Sequence, residues 1–322
     1  MSFDSGVVDL NACAAADAAG VDVWSRISRQ LRLYYLALRP KESIMMLGVP
    51  LLGVLFSLDA FPLAKLVEVF WLFFGAALVA GHVYTLNDLM GLSYDIYDAS
   101  KRERPLMAGS LRASEVFGFS MGLLLLGLAI LLSLSLPVFV IAVLITLVWV
   151  AYAAPGIKLK AVPVVTSLVN AVGAGCLPFL LGYVLFAGNE QLGRGLLLSI
   201  YFGIIAGAGQ MNREIVDLDV DVKTSFRTTA VWLGRRWTFV TSFALFMLST
   251  AFLVALAVGL HTVPMVQALI ALAGAPVHAH MFWVCLRSGV TREATVSYVR
   301  DYRLLYLVMG LAMVGDLLAR LM

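Results

Sequence analysis

Nine apolar stretches, at about 44–58, 66–86, 116–135, 136–154, 161–187, 195–211, 237–260, 262–286 and 304–319, occupy most of this 322-residue chain. A helix needs roughly 20 apolar residues to cross the hydrocarbon of a bilayer. In lipid, moreover, every backbone N–H and C=O must find its partner inside the structure, which restricts spanning segments to helices or closed barrels. Stretches of this length therefore predict an all-α polytopic membrane protein with about nine transmembrane helices, the shorter stretches borrowing length from flanking polar residues. Composition excludes an ordinary soluble enzyme: 61% of residues are hydrophobic and 13% charged, against roughly 25% charged in an average soluble domain. Cys13, Cys176 and Cys285 show no paired spacing, so neither a zinc site nor a disulfide framework is expected.

Residues 1–23 carry four Asp and no Lys or Arg, and are expected to form a mobile tail without the apolar core of a signal peptide. Over 24–42, Trp24, Ile27, Leu31, Tyr34, Tyr35 and Leu38 recur at helical spacing while Arg26, Arg29 and Arg32 point elsewhere. That pattern predicts an amphipathic basic helix in the headgroup layer. Residues 43–322 form the membrane domain. Of its 23 Lys and Arg, the chain places Lys65, Arg194 and Arg320 on one face and the others in the N-terminal region or the loops after the second, fourth, sixth and eighth segments. The positive-inside rule makes that basic face, the N-terminus and its loops cytoplasmic.

Two acidic clusters share the basic face. Asn87, Asp88, Asp95 and Asp98 end the second segment, and Glu214, Asp217, Asp219 and Asp221 end the sixth. Glu214 and Asp221 repeat, four helices later, the seven-residue spacing of Asp88 and Asp95. At about 100° per residue, positions i, i+3 and i+7 fall within roughly 60° of one another. Glu214, Asp217 and Asp221 thus make one acidic stripe, and Asp88 and Asp95 make a second with Gly91 between them. Asp219 points away. Stacked carboxylates repel unless cations lie between them, and Mg²⁺, with its oxygen ligands, binds one or two carboxylates and leaves places for phosphate oxygens. Facing stripes suit a diphosphate held through bridging Mg²⁺. Lys101, Arg102, Arg104, Lys158, Lys160, Lys223 and Arg227 follow the stripes or the fourth segment and are placed to neutralise a departing diphosphate. Either cluster alone would read as solvated charge at a helix end. The repeated frame is what favours a site.

These residues resemble the UbiA-type intramembrane prenyltransferases. Their first motif, N-D-x-x-D-x-x-x-D with a following basic segment and R-P, is similar to Asn87-Asp88 through Asp95, then Lys101-Arg102-Glu103-Arg104-Pro105. Their second, D-x-x-D-x-x-x-D, is similar to Glu214, Asp217 and Asp221, followed by Arg227-Thr228 and Ala230-Val231-Trp232-Leu233-Gly234. A third signature after the fourth helix matches Tyr152, Pro155, Lys158 and Lys160. The resemblance implies nine helices around a central cavity. It further implies Mg²⁺ on Asp88, Asp95, Glu214, Asp217 and Asp221, the four Asp being catalytic, and a diphosphate on Asn87, Lys101, Arg102, Arg104, Tyr152, Lys158, Lys160 and Arg227. The expected partners are a prenyl diphosphate, a small aromatic or quinone-precursor acceptor and membrane lipid, with no nucleic acid or protein partner.

The chain departs from the pattern at Glu214, which keeps a carboxylate, and at Gly91, which removes one. Gly91 either weakens an ion site or makes room for a substrate group. Asp98 lies roughly 15 Å along an ideal helix from Asp88, and joins the site only if the helix ends and the chain turns back. Cyclisation of the prenyl chain, transfer of a sugar phosphate to a polyprenyl phosphate and non-catalytic lipid carriage remain alternatives. His82 and His278 are expected to be structural. Asn170, Tyr201, Gln210 and Asn212 are candidates to line a cavity, and Phe70, Trp71, Phe73, Phe74 and Tyr84 to face a carbocation or lipid.

Overall fold

The computed structural model describes residues 10–60, 63–98 and 101–322, with side chains from Trp24 onward, Lys41 excepted. The ordered elements among them are helical. Helix α1 (Leu10–Ala37) begins well before Trp24; Ala14–Ala16, Ala18 and Ala19 supply helix propensity where a mobile tail was expected. The first nine residues of that expected tail lie outside the described residues. The interfacial helix, expected to be continuous over 24–42, instead breaks at Arg39, which adopts φ 51° and ψ 61° before Pro40 opens α2 (Pro40–Met45). A residue before proline is disfavoured in the α region, which accounts for the break. Trp24, Leu31 and Tyr35 are exposed on α1 together with Arg26, Arg29 and Arg32.

After α3 (Gly48–Ser57), the long helices are α4 (Leu66–Asp95), α5 (Ala113–Leu134) and α6 (Leu136–Ala153), then α7 (Val165–Asn170) and α8 (Leu177–Tyr183) joined by a π turn over Ala171–Cys176. They are followed by α9 (Leu192–Lys223), α10 (Thr229–Val258), α11 (Met265–Arg287) and α12 (Arg292–Leu321). Eight helical spans among the described residues are long and apolar enough to cross a membrane; the bent pair Trp24–Ala37 and Glu42–Ser57 makes a ninth if counted as one. The chain is an integral, multi-pass membrane protein.

Two groups of helices meet at α3 and α8. In the first, α4 packs on α5 and α6, and α6 on α8, around Leu72, Leu131, Val138 and Ala142. In the second, α9 packs on α10, α10 on α11 and α11 on α12, which returns to α9 and α3. Lipid is as apolar as a helix face, so helices in membranes associate by close packing rather than by escape from water. The α3–α8 crossing shows this directly. A Cβ added at Gly53 would lie 2.1 Å from the Phe179 carbonyl oxygen, and one at Gly182 2.0 Å from that of Pro50. Buried polar groups are paired across helices: the Ser120 hydroxyl of α5 lies 2.9 Å from His82 Nδ1 of α4, and His278 Nε2 lies 2.6 Å from the Tyr298 hydroxyl. The π turn lets the Gly173 carbonyl accept from Trp149 Nε1 at 3.2 Å.

Helix α4 has 30 residues and α9 has 32. At 1.5 Å per residue each is about 45 Å long, well beyond the roughly 30 Å of hydrocarbon. Their apolar parts end near Leu86 and Met211, so both acidic stripes ride on helix ends that project into the headgroup layer. The sequence places the boundaries of these two segments at the end of the apolar run; the helices continue through the charges.

Candidate active site

The two projecting ends face each other across an open cleft of about 690 Å³, its solvent-open mouth included. Asn87, Asp95, Lys101, Tyr152, Lys160, Glu214, Asp217 and Asp221 all belong to its wall. The local reason is helical phase: the seven-residue frame keeps each stripe on one face over two turns. Asp219, outside the frame, is exposed and pairs with Arg235 at 2.7 Å. Helix α4 ends at Asp95, and the amide of Asp98 bonds back to the Asp95 carbonyl at 3.0 Å. This turn brings Asp98 into the cleft wall, the one condition under which it joins the site.

The first stripe is covered by cations. Arg104 Nη1 donates to Asp88 Oδ1 at 2.6 Å and lies 3.9 Å from Asp95 Oδ2, while Lys101 Nζ donates to Asp95 Oδ1 at 2.7 Å and lies 3.5 Å from Asp98. Arg39, which sequence reasoning did not assign to the site, lies 3.6 Å from Asp88 and 3.0 Å from Glu42, with its guanidinium 4.6 Å from the Tyr84 ring centre. Its left-handed backbone conformation is the local outlier that aims it there. Asp88 and Asp95 are buried. A Cβ at Gly91 would lie 2.9 Å from Asp95 Oδ2, so position 91 faces this stripe and the glycine leaves space that Asp95 uses.

The second stripe has no basic side chain within 4 Å of Glu214, Asp217 or Asp221 among the described residues. Asp217 is exposed to the cleft, Asp221 half-buried and Glu214 buried. Asp221 Oδ2 accepts from the Thr228 hydroxyl at 3.0 Å, and Glu214 Oε2 from the Ala230 amide at 3.2 Å.

Between the stripes, Lys160 donates to the Tyr94 hydroxyl and its Nζ lies 4.3 Å from the Tyr94 ring centre and 6.0 Å from that of Tyr152. Burial pushes its ammonium down to about 8. Lys158 lies 5.9 Å from the Tyr94 ring centre. Arg102 and Arg227 are exposed outside the cleft wall. Tyr94 and Phe226 belong to the wall but were missed, since each reads in sequence as an ordinary aromatic; Thr228, read only as part of the Arg227-Thr228 motif, belongs to it too. Of the candidate cavity-lining polar residues Gln210 reaches the cleft; Asn212 instead donates to Ser242 at 2.8 Å and Asn170 to the Thr166 carbonyl.

A narrow, half-open apolar cavity lies deeper between α3, α4, α6 and α8. Tyr84 lines it one turn before Asn87 lines the cleft, and Trp149 lines it one turn before Tyr152 does the same. The two cavities therefore adjoin along α4 and α6. Phe70, Trp71 and Phe74 are exposed on the outer face, Phe70 stacked on Phe74 and Trp71 edge-on to both.

Among the described residues no three His, Cys, Asp or Glu side chains converge closely enough to hold one ion in common. The donor set still fits Mg²⁺, which takes one or two carboxylates and completes its octahedron with water and phosphate oxygens. Hard oxygen donors line both walls, and Asp217 is open to an entering ion.

The comparisons agree with this architecture. The chain is 27% identical over 207 residues to digeranylgeranylglyceryl phosphate synthase of Thermococcus gammatolerans, covering 64% of this chain and 71% of that one. It is 32% identical over 167 residues to protoheme IX farnesyltransferase 1 of Pseudomonas paraeruginosa, covering 51% of this chain and about half, 54%, of that protein. A UbiA homolog from Archaeoglobus fulgidus, solved bound to GPP and Mg²⁺, superposes with a TM-score of 0.67 at 18% identity, over 88% of this chain and 99% of that one. With the family model matching residues 47–299, the chain belongs to the UbiA prenyltransferase family.

Proposed function

We propose that this prenyltransferase takes a prenyl diphosphate as donor, uses Mg²⁺, and passes the prenyl group to a small aromatic or quinone-precursor acceptor at the headgroup layer. The observation that carries the reading is the adjoining pair of cavities, one acidic and basic, one apolar. An amphipathic substrate with a diphosphate at one end and a hydrocarbon at the other matches the chemistry of both, and an ordinary soluble phosphate would leave the apolar one unused.

Asp88, Asp95, Asp217 and Asp221 would hold the ions, with Asn87 beside them. Bound Mg²⁺ supplies positive charge against the diphosphate oxygens. In the reaction the allylic C–O bond breaks and its electron pair leaves with the diphosphate; a ring carbon of the acceptor bonds to the prenyl carbon and loses a proton. Lys101 and Lys160 face the cleft where negative charge grows on the leaving group, the main electrostatic demand of this step, and Arg104 stands behind Lys101 on the first stripe. Lys158, Arg102 and Arg227 stand farther out, where they attract the diphosphate on approach. Tyr152 lines the cleft against Trp149 of the apolar cavity, at the junction where the reacting carbon would lie, and Gln210 and Thr166 offer neutral hydrogen-bonding groups to an acceptor.

Incubating the purified protein with prenyl diphosphates of several lengths and Mg²⁺, with and without acceptors, tests this. Prenylated product that requires both an acceptor and Mg²⁺ is the expected result. Diphosphate release without acceptor, with a cyclic product, would replace transfer by cyclisation; no turnover with any donor would reject catalysis.

The basic end, with the cleft, is assigned to the cytoplasmic side on the charge tally. Ser110→Cys and Ser225→Cys are expected to react with an impermeant thiol reagent from that side only, and Leu260→Cys from the other.

A further inference from the structure

Resting on the same reading of the cleft, we infer that Glu214 is a positioning residue that caps helix α10 and orients Asp221, and not an ion ligand. The three members of its stripe occupy different environments. Asp217 is open to the cleft, Asp221 is half-buried and Glu214 is 2% exposed. Glu214 Oε2 accepts from the amide of Ala230, in the first turn of α10, at 3.2 Å. Its Oε1 is fully buried beside the start of α10. Mg²⁺ keeps several waters or phosphate oxygens around it, so an oxygen closed to water is a poor place for it.

The start of α10 explains why such a cap is needed. The first amides of a helix have no partner within it, and the N-cap residue usually supplies one from its own side chain. Thr228 holds the N-cap position with extended backbone angles but makes no capping bond. Its hydroxyl donates to Asp221 Oδ2 instead, at 3.0 Å. Helix α9 thus receives a bond from the start of α10 at Asp221 and returns an acceptor to it from Glu214. The added methylene of glutamate over aspartate is what spans to the neighbouring helix. Glu214 acts on Asp221 through Thr228: hold Ala230, and the Thr228 hydroxyl stays aimed at the carboxylate.

Two substitutions separate cap from ligand. Glu214→Gln keeps the length and an oxygen acceptor but removes the charge; Glu214→Asp keeps the charge and shortens the arm. The full chain would be purified in detergent and measured for Tm, amide exchange over 228–231, the Mg²⁺ midpoint by calorimetry and turnover. For a cap, Glu214→Gln retains wild-type exchange and a Mg²⁺ midpoint within about twofold, because Mg²⁺ uses the other carboxylates. Glu214→Asp then lowers Tm by about 2–4 °C, speeds exchange at 229–231 and lowers kcat more than it raises KM. A Mg²⁺ midpoint raised tenfold or more, about 1.4 kcal/mol, in Glu214→Gln with Glu214→Asp behaving as wild type would overturn the inference and make Glu214 a ligand. Unchanged exchange in both variants would overturn it too. If wild-type protein neither turned over nor bound Mg²⁺, the proposed function would fall while exchange and Tm still decided the cap.

Discussion

The two acidic stripes occupy equivalent helix ends four helices apart, yet the folded chain treats them in opposite ways. Asp88 and Asp95 are buried under Arg39, Arg104 and Lys101, so their charge is balanced by the protein. Asp217 and Asp221 face the cleft without a basic partner within 4 Å among the described residues, Asp221 held only by the Thr228 hydroxyl, so this wall is open to a cation from outside. A frame read as two copies of one metal site is, in the structure, a self-neutralised wall and an open one. An ion can enter the second without displacing any side chain, whereas at the first it competes with ammonium and guanidinium groups already in place. On the proposed function, the first wall's cations would turn instead toward a diphosphate, which would link the two halves only when substrate arrives.

The strongest challenge to this asymmetry is Asp217→Ala. It should lower turnover by at least about 100-fold, beyond what outer groups of a metal site typically cost, with Tm unchanged. Retained activity at ordinary Mg²⁺ would show that the open stripe is not where the ion enters. Arg104→Ala tests the other wall: it should cost about 2 kcal/mol of stability by leaving a buried carboxylate short of a partner, seen as a lower unfolding midpoint. Thr228→Val at the open wall should cost only about 1 kcal/mol; equal losses would erase the contrast.

A smaller effect is expected at Gly91. Because a Cβ there already meets Asp95, Gly91→Asp should push Asp95 aside and raise the Mg²⁺ concentration needed for half-maximal turnover severalfold. A lowered requirement would mean that the first wall lacks only a ligand. The smallest effect is the pH dependence of Lys160, held near 8 by burial. Its ammonium is charged below that value and loses charge as pH rises through it, so KM for the prenyl diphosphate should climb above about pH 8. Lys160→Met should flatten that rise.

Eight of the nine expected spans and the phase of both stripes were legible because each depends on periodicity within a single segment; the ninth stands only if the bent pair Trp24–Ala37 and Glu42–Ser57 counts as one span. Asp219 pointing away from Asp217 and Asp221 follows from the helical repeat alone. The difference between the walls was not legible, since it comes from contacts between segments distant in sequence. Arg39 reads as one more arginine on an interfacial helix until the break before Pro40 turns it toward Asp88. Arg104 reads as a diphosphate ligand until the chain after α4 folds back on Asp88. Thr228 carries the composition of a helix cap but bonds to the preceding helix, and nothing local signals that exchange.

The π turn over Ala171–Cys176 carries a consequence of another kind. Such a turn closes i to i+5 where an α turn closes i to i+4, and so stores one residue more. Deleting a residue there would let α7 and α8 run on as one regular helix and swing α7 by about 100° against α8. Thr166 would leave the cleft wall, and its bond to the Lys160 carbonyl, 3.1 Å now, would carry the lysine loop with it. No carboxylate would have changed, yet the cation between the two walls would be lost. At this point the site is specified by chain length rather than by side-chain identity, and a one-residue deletion would harm it more than most substitutions nearby.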